Sequence, residues 1–568
     1  MNAKIDLLRQ SFAKHNIDGY IIPTTDEYNN EYTPLSNRRL EYITGFSGSN
    51  GYVIITHDKV YFFTDGRYLL QAQTSLPDFF EIYDISILKG FSLKGFKIGY
   101  NPMIFTQGQL SNYLLNLELV AVEGDLLDDI WQDRPAKPLS RAYMYESQYA
   151  GMEAIEKVAL IRSEINGKAE YALITDSTSI CWALNLRASD IPFCPIMLGR
   201  MLISNDEIIL FTEISRLSDQ IKDHLNFVTF YPEMEITQYL SKIDSKVLYD
   251  PSSCSVGIAR LINNNVEAIN PVMKFQTCKN KQEIHHAENV HVKDAVALCE
   301  ALAWIELQHA QGNKITEYEV GIKLSYFRSL QEGYVMDSFP PIVGFRNNGA
   351  IIHYNAEQKT AKTIEGDGVL LIDSGGHYLG ATTDVTRNLV FGTPTEEMKK
   401  RYTQVLKGHI NLAHTKFPYG TKGVDLDSIA RMFLWSDKLD YAHGTGHGVG
   451  NFLSVHEGGI IGRYPSSPVL KSGMVISNEP GFYKNGEFGL RIENLLYIRD
   501  TGDGFLCFED LTMVPYCHKL IDFTIINKYE LDYLKSYYAK INSNIRPILG
   551  EVAKKWLDKE TVWLQEQL

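Results

Sequence analysis

Two stretches in the first half of the chain follow one plan, and a chain that repeats a unit must fold it twice. In the first, a helical segment precedes residues 18–26 (DGYIIPTTD). Residues 41–46 (EYITGF) follow, then the strand pair 51–56 (GYVIIT) and 59–67 (KVYFFTDGR). In the second, a helix around 150–168 precedes residues 169–176 (AEYALITD), then 181–187 (CWALNLR) and the pair 201–204 (MLIS) and 207–213 (EIILFTE). The order is helix, strand, aromatic loop, hairpin and Phe-Thr-Asp/Glu each time. This predicts two copies of one α/β unit, over residues 1–135 and 136–277, joined by the polar, Pro-bearing segment 131–139 (WQDRPAKPL).

A second boundary falls near Cys278–Asn280. Beyond it Ile284, Ala287, His291, Ala295, Leu298, Leu302 and Ile305 recur at three- and four-residue steps, one stripe of a long amphipathic helix. His291 lies on that stripe and reads as a core histidine. From about 340 to 500 strand-like runs and glycines dominate, and from about 510 the chain turns helical. There Asn527 and Glu530 have capping-box spacing, and Leu531, Leu534, Tyr538, Ile541 and Ile545 form an apolar face suited to a core or a subunit contact. At ~150 residues per domain the length allows three or four domains; these boundaries make three, the last being residues 278–568.

The chain's 55 Lys+Arg against 69 Asp+Glu give a net charge of −14. That acidity argues against a nucleic-acid-binding protein, and 44% hydrophobic residues argue against disorder. No run nears the ~18 apolar residues of a membrane span. The start MNAKIDLLRQSF has no signal-peptide core, and the 7 cysteines are scattered with no C-x-x-C pair. A cytoplasmic enzyme with free thiols is expected.

Three motifs carry chemistry. In residues 369–387 (VLLIDSGGHYLGATTDVTR) an apolar strand ends on Asp373, a Gly-Gly turn follows, and a second strand carries Asp384. A hairpin puts both acids on neighbouring strands, where they repel unless a cation or a proton lies between them. Residues 443–457 (HGTGHGVGNFLSVHE) hold His443, His447 and His456 within 14 positions, interleaved with four glycines. The i, i+4 histidines are not a helical zinc motif, because glycines forbid a stable helix and Gly444 stands where the catalytic Glu belongs. Backbone held close to a metal or substrate fits better. In residues 477–483 (SNEPGFY) and 489–494 (GLRIEN), Glu479 ends one strand, and Arg491 and Glu493 share a face of the next. Four carboxylates with one imidazole and no thiolate suit hard or borderline divalent ions, Mn²⁺ first, with Zn²⁺, Co²⁺ or Fe²⁺ as alternatives. So much negative charge exceeds what one ion offsets, so a dinuclear site is expected.

The runs IDSGGHYLGATTDVTR, HGTGHGVGNFLSVHEG and SNEPGFYKNGEFGLRIEN together resemble the pita-bread-fold metallopeptidase family, in its long, three-domain Xaa-Pro aminopeptidase (aminopeptidase P) branch. TGFSGSNG and FFTDGRY resemble the first domain, WALNLRASDIP the second and EDLTMVPYCHKLID the C-terminal extension. The resemblance implies an α/β (α+β) fold: two related creatinase-N-like domains, then a pita-bread catalytic domain with a helical extension. It implies that Asp373, Asp384, His447, Glu479 and Glu493 hold two divalent ions, with Asp384 and Glu493 bridging. Glu479 would be the general base acting on a dimetal-bridged hydroxide. His353, in the run GAIIHY, would shuttle a proton; His443 and His456 would line the substrate pocket, and Arg491 would orient the carboxylates. The implied reaction removes the first residue from small peptides with proline second, and the implied assembly is a homodimer without nucleic-acid or membrane partners. Ala188, Phe345-Arg346 and Gly459 depart from the family pattern, and none is an implied ligand. The alternatives are a prolidase on the same fold, whose relatives usually carry one N-terminal unit, and a non-catalytic peptide-binding relative, which would have lost ligands.

Overall fold

The computed structural model describes residues 3–463 and 467–566. They form two compact units, residues 1–147 with 152–276, and residues 148–151 with 277–568. Among the described residues no helix is long and apolar enough to cross a membrane, and all seven cysteines are free.

The first unit bears out the repeat strand by strand. One six-stranded sheet runs Phe80–Asp84, Val60–Thr64, Tyr52–Thr56, Gly19–Pro23, Lys97–Tyr100, Glu118–Ala121. The other runs Thr229–Tyr231, Ile208–Phe211, Arg200–Ser204, Tyr171–Ile174, Val247–Tyr249, Asn265–Glu267. In each, the first strand of the copy pairs antiparallel with the next hairpin strand and parallel with a later one. Both faces of these sheets are covered, which is why the strands read as nearly unbroken apolar runs. In the first copy Tyr20 and Ile22 pack with Ile5, Leu8 and Phe12 of the helix Ala3–His15, while Ile21, Ile54 and Ile98 pack on the opposite face.

The second unit opens with the helix Lys281–Ala310, started by an Asn280–Glu283 capping box. Its stripe is buried as the periodicity predicts, and His291 is a core residue whose Nδ1 lies 2.7 Å from the carbonyl of Ala287 one turn back. This helix and Glu317–Ser329 belong with an antiparallel sheet of Ile342–Phe345, Gly368–Ser374 and Val385–Phe391. A second helix pair, Glu396–Ala413 and Gly423–Trp435, belongs with an antiparallel sheet ordered Lys416–Pro418, Phe505–Asp510, Asn494–Asp500, Val475–Asn478, Gly446–Gly448, Glu457–Ile461. Residues of both halves share one core.

The C-terminal helix Lys528–Asn544 begins at the expected Asn527–Glu530 box. Leu534, Tyr538, Ile541 and Ile545 are fully buried in this unit's own core, with Leu531 packed beside them. Each such side chain contributes ~1.5–3 kcal/mol where it is buried, so this face is spent inside the chain and is not a free subunit contact.

Candidate metal centre

Both sheets of the second unit deliver acids to one place. Asp373 is the last residue but one of the strand Gly368–Ser374, which pairs with Val385–Phe391 so that Asp373 faces Thr386. Asp384 immediately precedes that second strand, so the predicted hairpin holds, with short strands Gly376–Tyr378 and Ala381–Thr382 inserted at its tip. From the other sheet, His447 lies in Gly446–Gly448, and Glu479 follows Val475–Asn478. The strand expected through 489–494 is broken: Phe488–Arg491 ends before Glu493, and Asn494–Asp500 begins after it. Arg491 and Glu493 still converge, because Thr386 binds both. Its Oγ donates to Glu493 Oε2 at 2.7 Å and accepts from Arg491 Nε at 3.2 Å.

Two of the interleaved glycines accept a close approach by neighbouring backbone. A Cβ at Gly446 would overlap the carbonyl oxygen of Ser477, and one at Gly448 that of Gly458. These glycines let neighbouring strands close on the His447 strand.

Ligand atoms of Asp384, His447 and Glu493 all lie within 4.8 Å of one another. Asp373 and Glu479 flank them. Arg491 Nη2 donates to Asp373 Oδ2 at 2.6 Å, and Asp373 Oδ1 is buried with no hydrogen-bond partner among the described residues. Glu479 Oε1 accepts from Ser477 Oγ at 3.0 Å and sits 3.4 Å from His447 Nε2, as does Asp384 Oδ2. His447 Nδ1 is 2.9 Å from the carbonyl of Gly448, a contact that places the imidazole proton on Nδ1. Nε2 then confronts two carboxylate oxygens, an arrangement that needs a cation or a proton between them. Burial first, then Asp373, pushes the Asp384 carboxyl well above its ordinary range. Burial first, then Asp384, does the same to Glu493. The donor set, its orphaned oxygen and its mutual repulsion fit divalent metal.

Of the other expected residues, His443 and His456 lie beside this cluster. The ring of His456 stands edge-on to that of His447, with centroids 4.3 Å apart. His443 has Nδ1 2.7 Å from the carbonyl of Gly444, and Nε2 2.9 Å from the Tyr483 hydroxyl, so both ring nitrogens bond within the protein. Tyr483 in turn accepts from Arg491 Nη1 at 2.7 Å, and burial pushes its hydroxyl up to about 12. His353 follows the short turn Arg346–Ala350. Its neighbour Ile352 accepts a 3.4 Å bond from Arg491 Nη2 through its carbonyl.

Several supporting residues carried no role in the sequence reading. Thr386 and Ser477 lie two positions from Asp384 and Glu479, and the two-residue period of a strand is the signal that would have found them. Tyr483 stood inside a quoted motif. Glu317 gave no signal. Fully buried at the start of Glu317–Ser329, its carboxylate accepts from the backbone N–H of Phe345 and of Lys362 at 2.7 Å each. Asn348 Nδ2 and the Tyr354 hydroxyl donate to it at 3.0 Å. It thereby ties down the segment that carries His353.

Such a centre, set between two helix-backed sheets in a chain whose first half is a twofold α/β repeat, is that of a metallopeptidase. Comparison with known proteins agrees. Residues 286–500 match "Metallopeptidase family M24" and residues 504–564 the "C-terminal region of peptidase_M24". Residues 4–127 and 133–283 each match a "Creatinase/Prolidase N-terminal domain". The chain is 35% identical to Xaa-Pro aminopeptidase 1 of Dictyostelium discoideum over 100% of this chain and 96% of that one. It is 33% identical to aminopeptidase P2 of Arabidopsis thaliana over 99% and 88%. The crystal structure of X-prolyl aminopeptidase from Caenorhabditis elegans, described as a cytosolic enzyme with a di-nuclear active site, superposes with a TM-score of 0.94 at 31% identity, covering 98% of each chain. The chain belongs to the M24 metallopeptidases, in the Xaa-Pro aminopeptidase (aminopeptidase P) family.

Proposed function

We propose that this chain is a metal-dependent aminopeptidase that hydrolyses the N-terminal residue from small peptides with proline in second position. The observation that carries the reading is His447 Nε2 facing Asp384 and Glu479, each at 3.4 Å, with Glu493 in the same cluster. Asp373, Asp384, His447, Glu479 and Glu493 would hold two divalent ions, Mn²⁺ before Zn²⁺, Co²⁺ or Fe²⁺. When bound, such ions supply a water of lowered pKa and polarise the scissile carbonyl.

The chain's own residues do the rest. Glu479 Oε1 is engaged by Ser477, which leaves Oε2 to take the attacking water's proton as general base. Arg491 and Thr386 fix Asp373 and Glu493, so neither carboxylate has to reorganise during turnover. Hydrolysis before proline cleaves a tertiary amide with no N–H, and the prolyl nitrogen leaves as a secondary amine that must gain a proton. His353 is the proposed donor. His456 is the proposed partner of the tetrahedral oxygen, while His443, engaged at both nitrogens, serves as pocket wall.

The division into domains 1–135, 136–277 and 278–568, with the extension from about 510, follows the repeat and the composition. A cytosolic location follows the description of the Caenorhabditis elegans relative. A homodimer would use apolar side chains left exposed, such as Ile322, Tyr326 and Leu330 on one helix or Met432 and Trp435 on another; a sedimenting particle of one chain's mass would refute it.

The decisive experiment offers the Mn²⁺-loaded protein an X-Pro-X tripeptide and an X-Pro dipeptide. Release of the first residue from the tripeptide, two ions per chain by elemental analysis, and loss of turnover in a folded Glu479→Gln variant are expected. Cleavage of the dipeptide alone would make the protein a prolidase, and full turnover by the variant would remove Glu479 as the base.

A further inference from the structure

Behind the two glutamates, on the side away from the metal cluster, runs a buried chain of hydrogen bonds that includes the segment after residue 510. Asn478 and Asn494, the sequence neighbours of Glu479 and Glu493, are register partners on adjacent strands. Asn494 Oδ1 accepts from Arg387 Nη2 at 2.7 Å, which fixes the amide's orientation. Its Nδ2 therefore donates to the Tyr516 hydroxyl at 3.1 Å and to Asp510 at 3.2 Å. The Tyr516 hydroxyl lies 3.2 Å from His409 Nε2. His409 Nδ1 lies 3.0 Å from the carbonyl of Asn478, and Asn478 Nδ2 donates back to the carbonyl of His409 at 2.9 Å.

The direction of every link follows. His409 Nδ1 faces a carbonyl and must carry the proton, and burial, with Arg387 nearby, pushes this imidazole down to about 3 and keeps it neutral. Nε2 is then an acceptor, so Tyr516 donates to His409 and accepts from Asn494. At the far end Arg387 Nη1 donates to the carbonyls of Glu493 at 2.7 Å and Thr386 at 2.8 Å. Its Nε and Nη2 reach the carbonyls of Val514 and Pro515 and the Tyr537 hydroxyl. Among the described residues this fully buried guanidinium makes no ion pair. Its charge is spread over the backbone carbonyls of Thr386 and Glu493 and of the C-terminal segment.

We propose that Tyr516 is a positioning residue for the metal centre: its hydroxyl joins Arg387–Asn494 to His409–Asn478 and so sets the spacing of Glu479 and Glu493. The physical need is clear from the front of the site. Crowded carboxylates push their strands apart, and a metal tolerates only ~0.5 Å of ligand error. A directional chain across the back resists that relaxation, and groups that orient ligands in this way are worth roughly 10–100-fold in metal affinity. The helical extension is then part of the metal site, although it supplies no ligand.

The proposal rests on the two-metal reading above, and its test separates the two. Tyr516→Phe removes only the hydroxyl and keeps the ring's stack on Tyr537 at 4.8 Å and on the Arg387 guanidinium at 4.7 Å. The matched control is Tyr402→Phe. Tyr402 is equally buried, and its hydroxyl accepts from the Cys517 N–H at 3.0 Å, outside the chain. Mn²⁺ is titrated into each chelated protein, with binding read by equilibrium dialysis and by the Mn²⁺-dependent rise in Tm. We expect Tyr516→Phe to weaken Mn²⁺ binding ~10-fold with KM unchanged at saturating metal, and Tyr402→Phe to bind as the parent does. Parental binding by Tyr516→Phe, or equal weakening by Tyr402→Phe, overturns the proposal. If Tyr516→Phe does not fold, His409→Gln cuts the chain at the next link and is judged by the same readouts. Failure of the parent itself to bind Mn²⁺ would overturn the metal reading instead.

Discussion

Glu317 offers a sharp test of how the site's mobile chemistry is held. The side chain sits at the first position of Glu317–Ser329, fully buried, and among the described residues it forms no ion pair. Oε1 accepts from the Phe345 N–H at 2.7 Å and from Asn348 Nδ2 at 3.0 Å. Oε2 accepts from the Lys362 N–H at 2.7 Å and from Asn348 Nδ2 and the Tyr354 hydroxyl at 3.0 Å each. In Glu317→Gln one of these oxygens becomes an NH₂. Either orientation sets that NH₂ against a buried backbone N–H, because each oxygen serves one. An unmatched buried donor costs ~1–3 kcal/mol, and the bonds that remain lose their charge assistance, about 1 kcal/mol more. The segment 345–362, with His353 inside it, should therefore open more easily by about 3 kcal/mol, roughly 150-fold in population. Native-state hydrogen exchange checks this directly. Amides of 345–362 should lose protection ~100-fold while those of Gly368–Ser374 keep theirs, and kcat on an X-Pro-X peptide should fall with bound metal unchanged. Protection lost evenly across the unit, or lost metal in step with lost activity, would refute the reasoning, because Glu317 would then support the fold at large.

Three further outcomes follow from the electrostatics and packing. His409 takes a proton near pH 6.5 when unfolded but only near 3 when folded, so its contribution to stability is complete above about pH 6.5 and is lost by ~1.4 kcal/mol per pH unit below that. Urea midpoints should show the parent losing roughly 2 kcal/mol from this group by about pH 5 and His409→Gln escaping that loss; equal pH slopes would contradict it. Asp384 and Glu493 are both raised, so the folded metal-free protein holds protons that the unfolded chain has already released, and its stability falls as pH rises through their raised range. The Tm of chelated protein should drop as pH rises above the ordinary carboxylate range and recover on adding Mn²⁺, whereas a pH-independent gap between chelated and loaded protein would be the contrary result. Gly448→Ala drives a Cβ into the Gly458 carbonyl and should cost Mn²⁺ binding. Gly444→Ala meets nothing nearer than the Ile461 carbonyl at 3.5 Å and should bind as the parent does.

What could be read in the sequence divides along a physical line. The proposed site is legible because its chemistry needs particular residue types in short runs: Asp373 and Asp384 lie 11 positions apart, and His443, His447 and His456 within 14. The repeat is legible because both sheets are covered on both faces and so leave apolar runs in matching order. A helix stripe shows only that a face is buried, which is why Leu534, Tyr538 and Ile541 suited a core and a subunit contact alike and proved to be core. The glycines around His447 announced a close approach without naming what approaches. The residues that hold the ligands in place are the least visible, because their partners lie far along the chain. Arg387 reaches the Glu493 carbonyl across 106 residues, and His409 meets Tyr516 across 107. Glu317, in turn, looks like any acid in the first turn of a helix, where the dipole alone would favour it. A buried network of this kind obeys no period, since each member is chosen for one donor or acceptor direction set by the fold. Its members can be found only when the polar groups behind each ligand are followed atom by atom, as they lead here from Glu493 through Asn494 and Tyr516 to the strand that carries Glu479.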